Sequence, residues 1–94
     1  MQYVRIATKE FRKDLRRLKK TGYDLQKLET VINELSSGKE LAEHHRDHPL
    51  QGHMKGSREC HISPDWLLRY TKKNNILVLL LISTGDHRHV LGIE

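Results

Sequence analysis

The amino-acid sequence predicts an α+β fold in which a helical hairpin packs on one face of a mainly antiparallel sheet, in the order β-α-α-β-β-β. Three observations predict it. Apolar residues recur at spacings of three and four between residues 8 and 37, alternate between residues 57 and 72, and run unbroken over residues 76–82. Ninety-four residues suit one small domain over 1–94, with a core large enough to fold alone and little stability to spare.

Residues 2–6 alternate around Tyr3, Val4 and Ile6 and suit a first strand. Thr8 can cap the helix that follows, because its hydroxyl can accept from an amide of the first turn that has no helical partner. Phe11, Leu15 and Leu18 form a narrow apolar stripe on that helix, basic residues take its other faces, and Gly22 ends it. Asp24 can cap a second helix whose stripe is Leu25, Leu28, Val31, Ile32 and Leu35, with a stop at Gly38 after Ser36 and Ser37. Helices joined by so few residues form an antiparallel hairpin. Residues 39–47 are polar, rich in charge and histidine, and without a period, which predicts a surface loop.

Over residues 57–63, Cys60 and Ile62 face one way, with Arg58 at the edge, while Ser57, Glu59 and His61 face the other. Ser63-Pro64-Asp65 is a turn. The next strand, residues 66–72, places Trp66, Leu68 and Tyr70 on one face and Leu67, Arg69 and Thr71 on the opposite one. Asn74-Asn75 makes a further turn, and residues 76–82 read as an interior strand, covered on both faces, on which the sheet is centred. After Ser83-Thr84-Gly85 that strand releases Asp86, His87, Arg88 and His89, at a place where sites are common.

The formal net charge is +5 and the pI about 9.6, which suits an acidic partner such as nucleic acid or an anionic protein segment. Between Thr8 and Lys20, seven basic residues stand against Glu10 and Asp14, a balance of +5 that equals the charge of the whole chain. The field is therefore concentrated on the first helix, although a plain solvated face is the other reading of that run. No segment approaches the roughly 20 apolar residues that span a bilayer, no secretory signal pattern is visible, and the one cysteine, Cys60, cannot form an internal disulfide. These features point to a cytoplasmic protein with no membrane partner.

The chemistry gathers in residues 46–66, RDHPLQGHMKGSRECHISPDW. His48, His53, His61, Lys55, Arg58, Asp65 and Trp66 stand there among the turn formers Pro49, Gly52, Gly56 and Pro64. Proton-transfer groups, fixed cations and tight turns make poor core and a reasonable site on a sheet. Seven histidines raise the question of metal, but there is no HExxH, no CxxC and no helical His pair, so neither a metal nor another cofactor is expected. His44, His45 and His53 read as solvated. His48, His61 and His87 lie beside turns or on a strand, where chain reversals can bring them together. Imidazole, with a pKa of ~6.5, can supply both a base and an acid near neutrality. RNA cleavage through the ribose 2′-hydroxyl needs that: one group takes the hydroxyl proton, another protonates the departing 5′-oxygen, and cations stabilise the phosphorane. Asp65 could orient a histidine. Trp66 is either a core anchor or a base-stacking platform, and Lys55, Arg58, Arg69 and Arg88 are candidate phosphate contacts or ordinary surface cations. Cys60, among apolar neighbours, is not expected to be a nucleophile.

The combination DHPLQGHMKGSRECHISPDWLLRY followed by LLLISTGDHRHVL resembles the YafQ branch of the RelE/ParE toxin superfamily, in detail over the C-terminal half and in length and element order throughout. The resemblance implies a RelE-like fold and a small ribonuclease that enters the ribosomal A site and cuts mRNA without metal. It also implies a cognate antitoxin, encoded beside the toxin, that masks its site and with it represses the shared operon by binding operator DNA. By position, His48 matches the DH histidine, His61 the strand histidine, Asp65 and Trp66 the PDW pair and His87 the TGxH histidine; the implied catalytic set is His87 and His48 first, then His61 and Asp65. The chain departs from the family at Ser83, where an arginine is usual before TG, and at Leu91, where an aromatic residue is usual. Arg69 or Arg88 could supply the missing phosphate contact. The alternative reading that Ser83 favours is a RelE-fold protein with little catalysis that acts with its antitoxin on operator DNA. A ParE-like gyrase inhibitor shares the fold, but the histidine set argues against it.

Overall fold

The computed structural model describes residues 2–92; Met1, Ile93 and Glu94, the ends of the 1–94 domain expected from the sequence, lie outside them. The elements are β1 (Val4–Ala7), α1 (Lys9–Lys20), α2 (Leu25–Ser36), β2 (His48–Pro49), β3 (Arg58–Ser63), β4 (Trp66–Lys73), β5 (Val78–Gly85) and α3 (His87–Leu91), with single 3-10 turns at Glu43–His45 and Gly52–Met54. The expected order holds, with two additions. The two-residue β2 and the short α3 arise in polar segments, where periodicity gives no signal.

Both expected helix caps form. Thr8 Oγ1 accepts from Phe11 N at 3.0 Å, and Asp24 Oδ1 accepts from Gln26 N at 3.1 Å. The hairpin then lays Phe11 and Leu18 of α1, and Leu28, Val31, Ile32 and Leu35 of α2, on the sheet side chains Cys60, Ile62, Trp66, Leu68, Tyr70, Leu79 and Leu81. Period-two alternation in β3 and β4 therefore selects the core face as the sequence indicates.

The five strands run in the order β1-β5-β4-β3-β2, all antiparallel except β1 with β5. The middle strand is thus β4, not the apolar run expected to be the centre, because β1 adds only one short neighbour outside β5. Leu77 adopts a left-handed φ of 53°, which keeps Ile76 in the turn at 59% exposure, so β5 starts at Val78 and continues through Gly85. Leu79 and Leu81 are buried, but Val78, Leu80 and Ile82 on the other side are only half-covered.

One irregularity in β5 decides what faces outward. Tyr70 pairs with Leu81 but Arg69 with Ser83, which makes Ile82 the extra residue of a bulge. The bulge resets the alternation: Ser83 falls beside Arg69, and Thr84 turns to the helical side, where its hydroxyl accepts from Trp66 Nε1 at 2.9 Å and donates to Leu67 O at 2.7 Å.

Candidate active site

The register aligns four residues across four strands: His48 of β2 opposite Glu59 of β3, Glu59 opposite Arg69 of β4, and Arg69 opposite Ser83 of β5. In the adjoining row, His61 pairs with Leu67 and Leu67 with Gly85. Paired residues share a face, so the sheet surface away from the hairpin carries His48, Glu59, His61 and Arg69 as neighbours.

Glu59 is the centre of this group. It is 3% exposed, its Oε1 lies 3.6 Å from His48 Nε2 and 3.7 Å from His61 Nε2, and its Oε2 has no hydrogen-bond partner. A buried carboxylate is costly unless neighbouring charge or hydrogen bonds compensate it, and the two imidazoles are the groups placed to do so. The His48 ring is held from the main chain, its Nδ1 donating to Arg46 O at 2.7 Å, while the His45 ring Nδ1 donates to the backbone carbonyl of His61 at the same distance. His45 is therefore not the freely solvated loop residue expected, since the turn at Glu43–His45 folds it against β3.

His87 opens α3 at the end of β5, opposite the turn that carries Asp65. Its Nδ1 donates to Asp65 Oδ1 at 2.6 Å, and its main-chain N–H reaches the same oxygen at 3.4 Å. These bonds hold the Asp65 carboxyl below the usual carboxylate range, and they leave His87 Nε2 as the ring nitrogen away from Asp65. The His61 and His87 ring centroids are 5.6 Å apart. The four catalytic candidates, His48, His61, Asp65 and His87, thus come together, and Glu59 joins them as a residue missed in the sequence. Its signal was present, since alternation put it on the face of His61 two residues away.

The cation candidates separate. Arg69 lies within the row, its Nε donating to Ser57 Oγ at 3.0 Å. Arg58 is tied to Asp47 at 3.2 Å, and Tyr70, whose hydroxyl is kept protonated by burial and by the same carboxylate, donates to Asp47 Oδ1 at 2.5 Å. That network anchors the segment leading into His48, so Arg58 is bound up in structure. Lys55 and Arg88 are exposed at the margin. Trp66 is 4% exposed, with its edge against Tyr23 at a 5.0 Å centroid distance, and offers no free face for a base; it is the core anchor. Burial and the Asp47 and Glu59 carboxylates push the Cys60 thiol up, in line with the expectation that it is no nucleophile.

The profile described as a bacterial toxin of type II toxin–antitoxin systems, YafQ, matches residues 3–92. The chain is 33% identical to the mRNA interferase toxin YafQ of Escherichia coli K12 over 84 residues, 88% of this chain and 89% of that one. It superposes on YafQ in the E. coli DinJ-YafQ toxin-antitoxin complex with a TM-score of 0.88 at 31% identity, covering 98% and 100% of the two chains. A metal-bound toxin from Helicobacter pylori matches at a TM-score of 0.86 and 40% identity, covering 96% and 99%. Among the described residues of the present chain, no group of three or more His, Cys, Asp or Glu side chains is placed to hold a metal ion. The family match over residues 3–92 and the relative at 33% identity agree: the chain belongs to the YafQ family of bacterial type II toxin–antitoxin toxins.

Proposed function

We propose that the chain is an endoribonuclease that cuts mRNA in the ribosomal A site, by attack of the ribose 2′-hydroxyl on the adjacent phosphate. What supports this most is the pairing of two acid–base units on one surface, Glu59 between His48 and His61, and His87 on Asp65, with the His61 and His87 rings 5.6 Å apart. One imidazole of the Glu59 unit takes the 2′-hydroxyl proton, and the buried carboxylate stabilises the imidazolium that results. His87, its Nδ1–H donated to Asp65, gives the Nε2 proton to the departing 5′-oxygen, leaving a 2′,3′-cyclic phosphate and a free 5′-hydroxyl. Arg69, beside Ser83 in the register, takes the place of the arginine usual in the family and meets the charge of the phosphorane. Lys55 and Arg88 contact flanking phosphates, and the basic face of α1 docks on ribosomal RNA.

As a toxin of this class, the chain would be held by a cognate antitoxin, as YafQ is in the DinJ complex, and the pair would bind operator DNA in the cytoplasm. No helix among the described residues is long and apolar enough to cross a membrane. The second reading, a binding protein with little catalysis, is favoured by Ser83, which is 2% exposed with an unpartnered hydroxyl. Cleavage of a defined mRNA in EDTA, with and without programmed ribosomes, separates the two. Ribosome-dependent cuts that vanish in His87→Ala support the nuclease. Silence in the wild type with cutting restored in Ser83→Arg supports the binding protein.

A further inference from the structure

Helix α1 is basic on its surface, yet it buries an acid. Asp14 is 2% exposed and lies on the same side as Phe11 and Leu18, at apolar-stripe spacing. A carboxylate in such a place needs partners, and it draws them from three elements. Its Oδ1 accepts from His89 Nε2 of α3 at 2.6 Å and from Arg17 Nη1 of α1 at 3.0 Å, and its Oδ2 accepts from Thr84 N of β5 at 3.0 Å. Arg17 Nη2 also donates to Thr84 O at 3.3 Å. The cluster closes over the junction of β5 and α3: a Cβ on Gly85 would stand 2.9 Å from Arg17 Nη2 and 3.2 Å from His89 Cδ2. Glycine is the residue that lets these side chains pass.

The same five-residue α3 carries His87. A helix this short has no stability of its own, so its orientation follows from what grips it. Those grips are the Asp86 side chain on His89 N at 2.9 Å, buried Val90, Asp65 on His87, and Asp14 on His89. The Asp65 grip is exposed and competes with water, whereas the Asp14 grip has a buried acceptor. We propose that Asp14, with Arg17 and His89, is the positioning unit of the active site, fixing the roll of α3 on the basic helix and thereby the placement of His87 against Asp65 and His61. None of the three needs to touch RNA at the scissile bond for this. The catalytic meaning rests on the nuclease reading, but the placement does not.

A reporter independent of activity follows from the Asp65 carboxyl, which the His87 bonds hold below its usual range. Its titration, read by carbon-13 NMR in the folded protein, reports how closely His87 is held. His89 is far more exposed than Asp14, so its replacement spares the core. In His89→Ala the Asp65 midpoint should rise toward the ordinary carboxylate value, and kcat for RNA cleavage should fall about 10²-fold, the scale of a misplaced catalytic group, at a KM within twofold. His89→Gln, which can still donate to Asp14, should restore both. An Asp65 midpoint that stays put in His89→Ala overturns the proposal even if cleavage falls. A wild type that cuts no RNA while the midpoint still moves overturns the nuclease reading and supports the positioning role.

Discussion

His61 and His87 come from opposite sides of the β4 hairpin partners and meet with ring centroids 5.6 Å apart and planes inclined by 59°. Strand β3 delivers one and the turn out of β5 delivers the other, so the sheet order itself brings the two rings together. The following outcomes test that arrangement.

His87→Ala should lower kcat by about 10²–10⁴-fold, the usual weight of a positioned acid or base, and Asp65→Asn should give a smaller loss in the same direction. The Asp65 carboxyl titrates below its unfolded value of ~3.9. The stability from its contact is therefore complete above that value and is lost as the pH falls through the lower folded one. Urea unfolding of wild type and Asp65→Asn should accordingly differ above the unfolded value and converge as the pH falls below the folded one.

Glu59→Gln should separate catalysis from stability. Cleavage should drop on the order of 10²-fold, while the melting temperature should equal or exceed that of the wild type, since a buried oxygen without a partner no longer has to carry charge. A marked fall in melting temperature would show that Glu59 holds the fold together instead.

Arg69→Ala should cost about 10²-fold in kcat if that side chain stabilises the phosphorane. Ser57 keeps its other bond, to Met54 O at 2.6 Å, so the strand should not suffer. Ser83→Ala should leave both rate and stability unchanged, because its hydroxyl pairs with nothing. Equal activity in Arg69→Ala and wild type would remove Arg69 from the mechanism.

Cys60 should resist thiol reagents in the native protein and react once denaturant is added, because the side chain is fully buried and its thiol is pushed up. Reaction at the native rate of a free thiol would contradict that burial.

Reversing three charges among Lys13, Arg16 and Lys20 of α1 should weaken ribosome binding and flatten its dependence on salt, as the loss of phosphate contacts requires. Sedimentation with ribosomes over a salt series measures this, and an unchanged slope would move the RNA contact elsewhere.

Much of the fold was legible because it depends on local rules. Thr8 and Asp24 announce helix starts by side-chain chemistry, and alternation in residues 57–72 sorts core from surface. Long-range choices were not legible. Nothing local says that β1 returns parallel to β5, that Ile82 is looped out as a bulge, or that Leu77 accepts a left-handed backbone. The site divides the same way. His48, His61, Asp65 and His87 stand out by residue type, whereas Glu59 and Asp14 look like ordinary surface acids until the sheet and helix bury them. Trp66 suits either the core or RNA as a sequence reads, and its burial selects the core.

The parallel pairing of β1 with β5 has a consequence for synthesis. β1 emerges from the ribosome early yet has no partner until β5 is made, and α3, with His87, comes later still. A nascent chain lacking that last strand can form the helical hairpin but neither the complete sheet nor the site. The surface that gathers His48, Glu59, His61 and His87 is consequently assembled only when the final elements have emerged and folded back on the first.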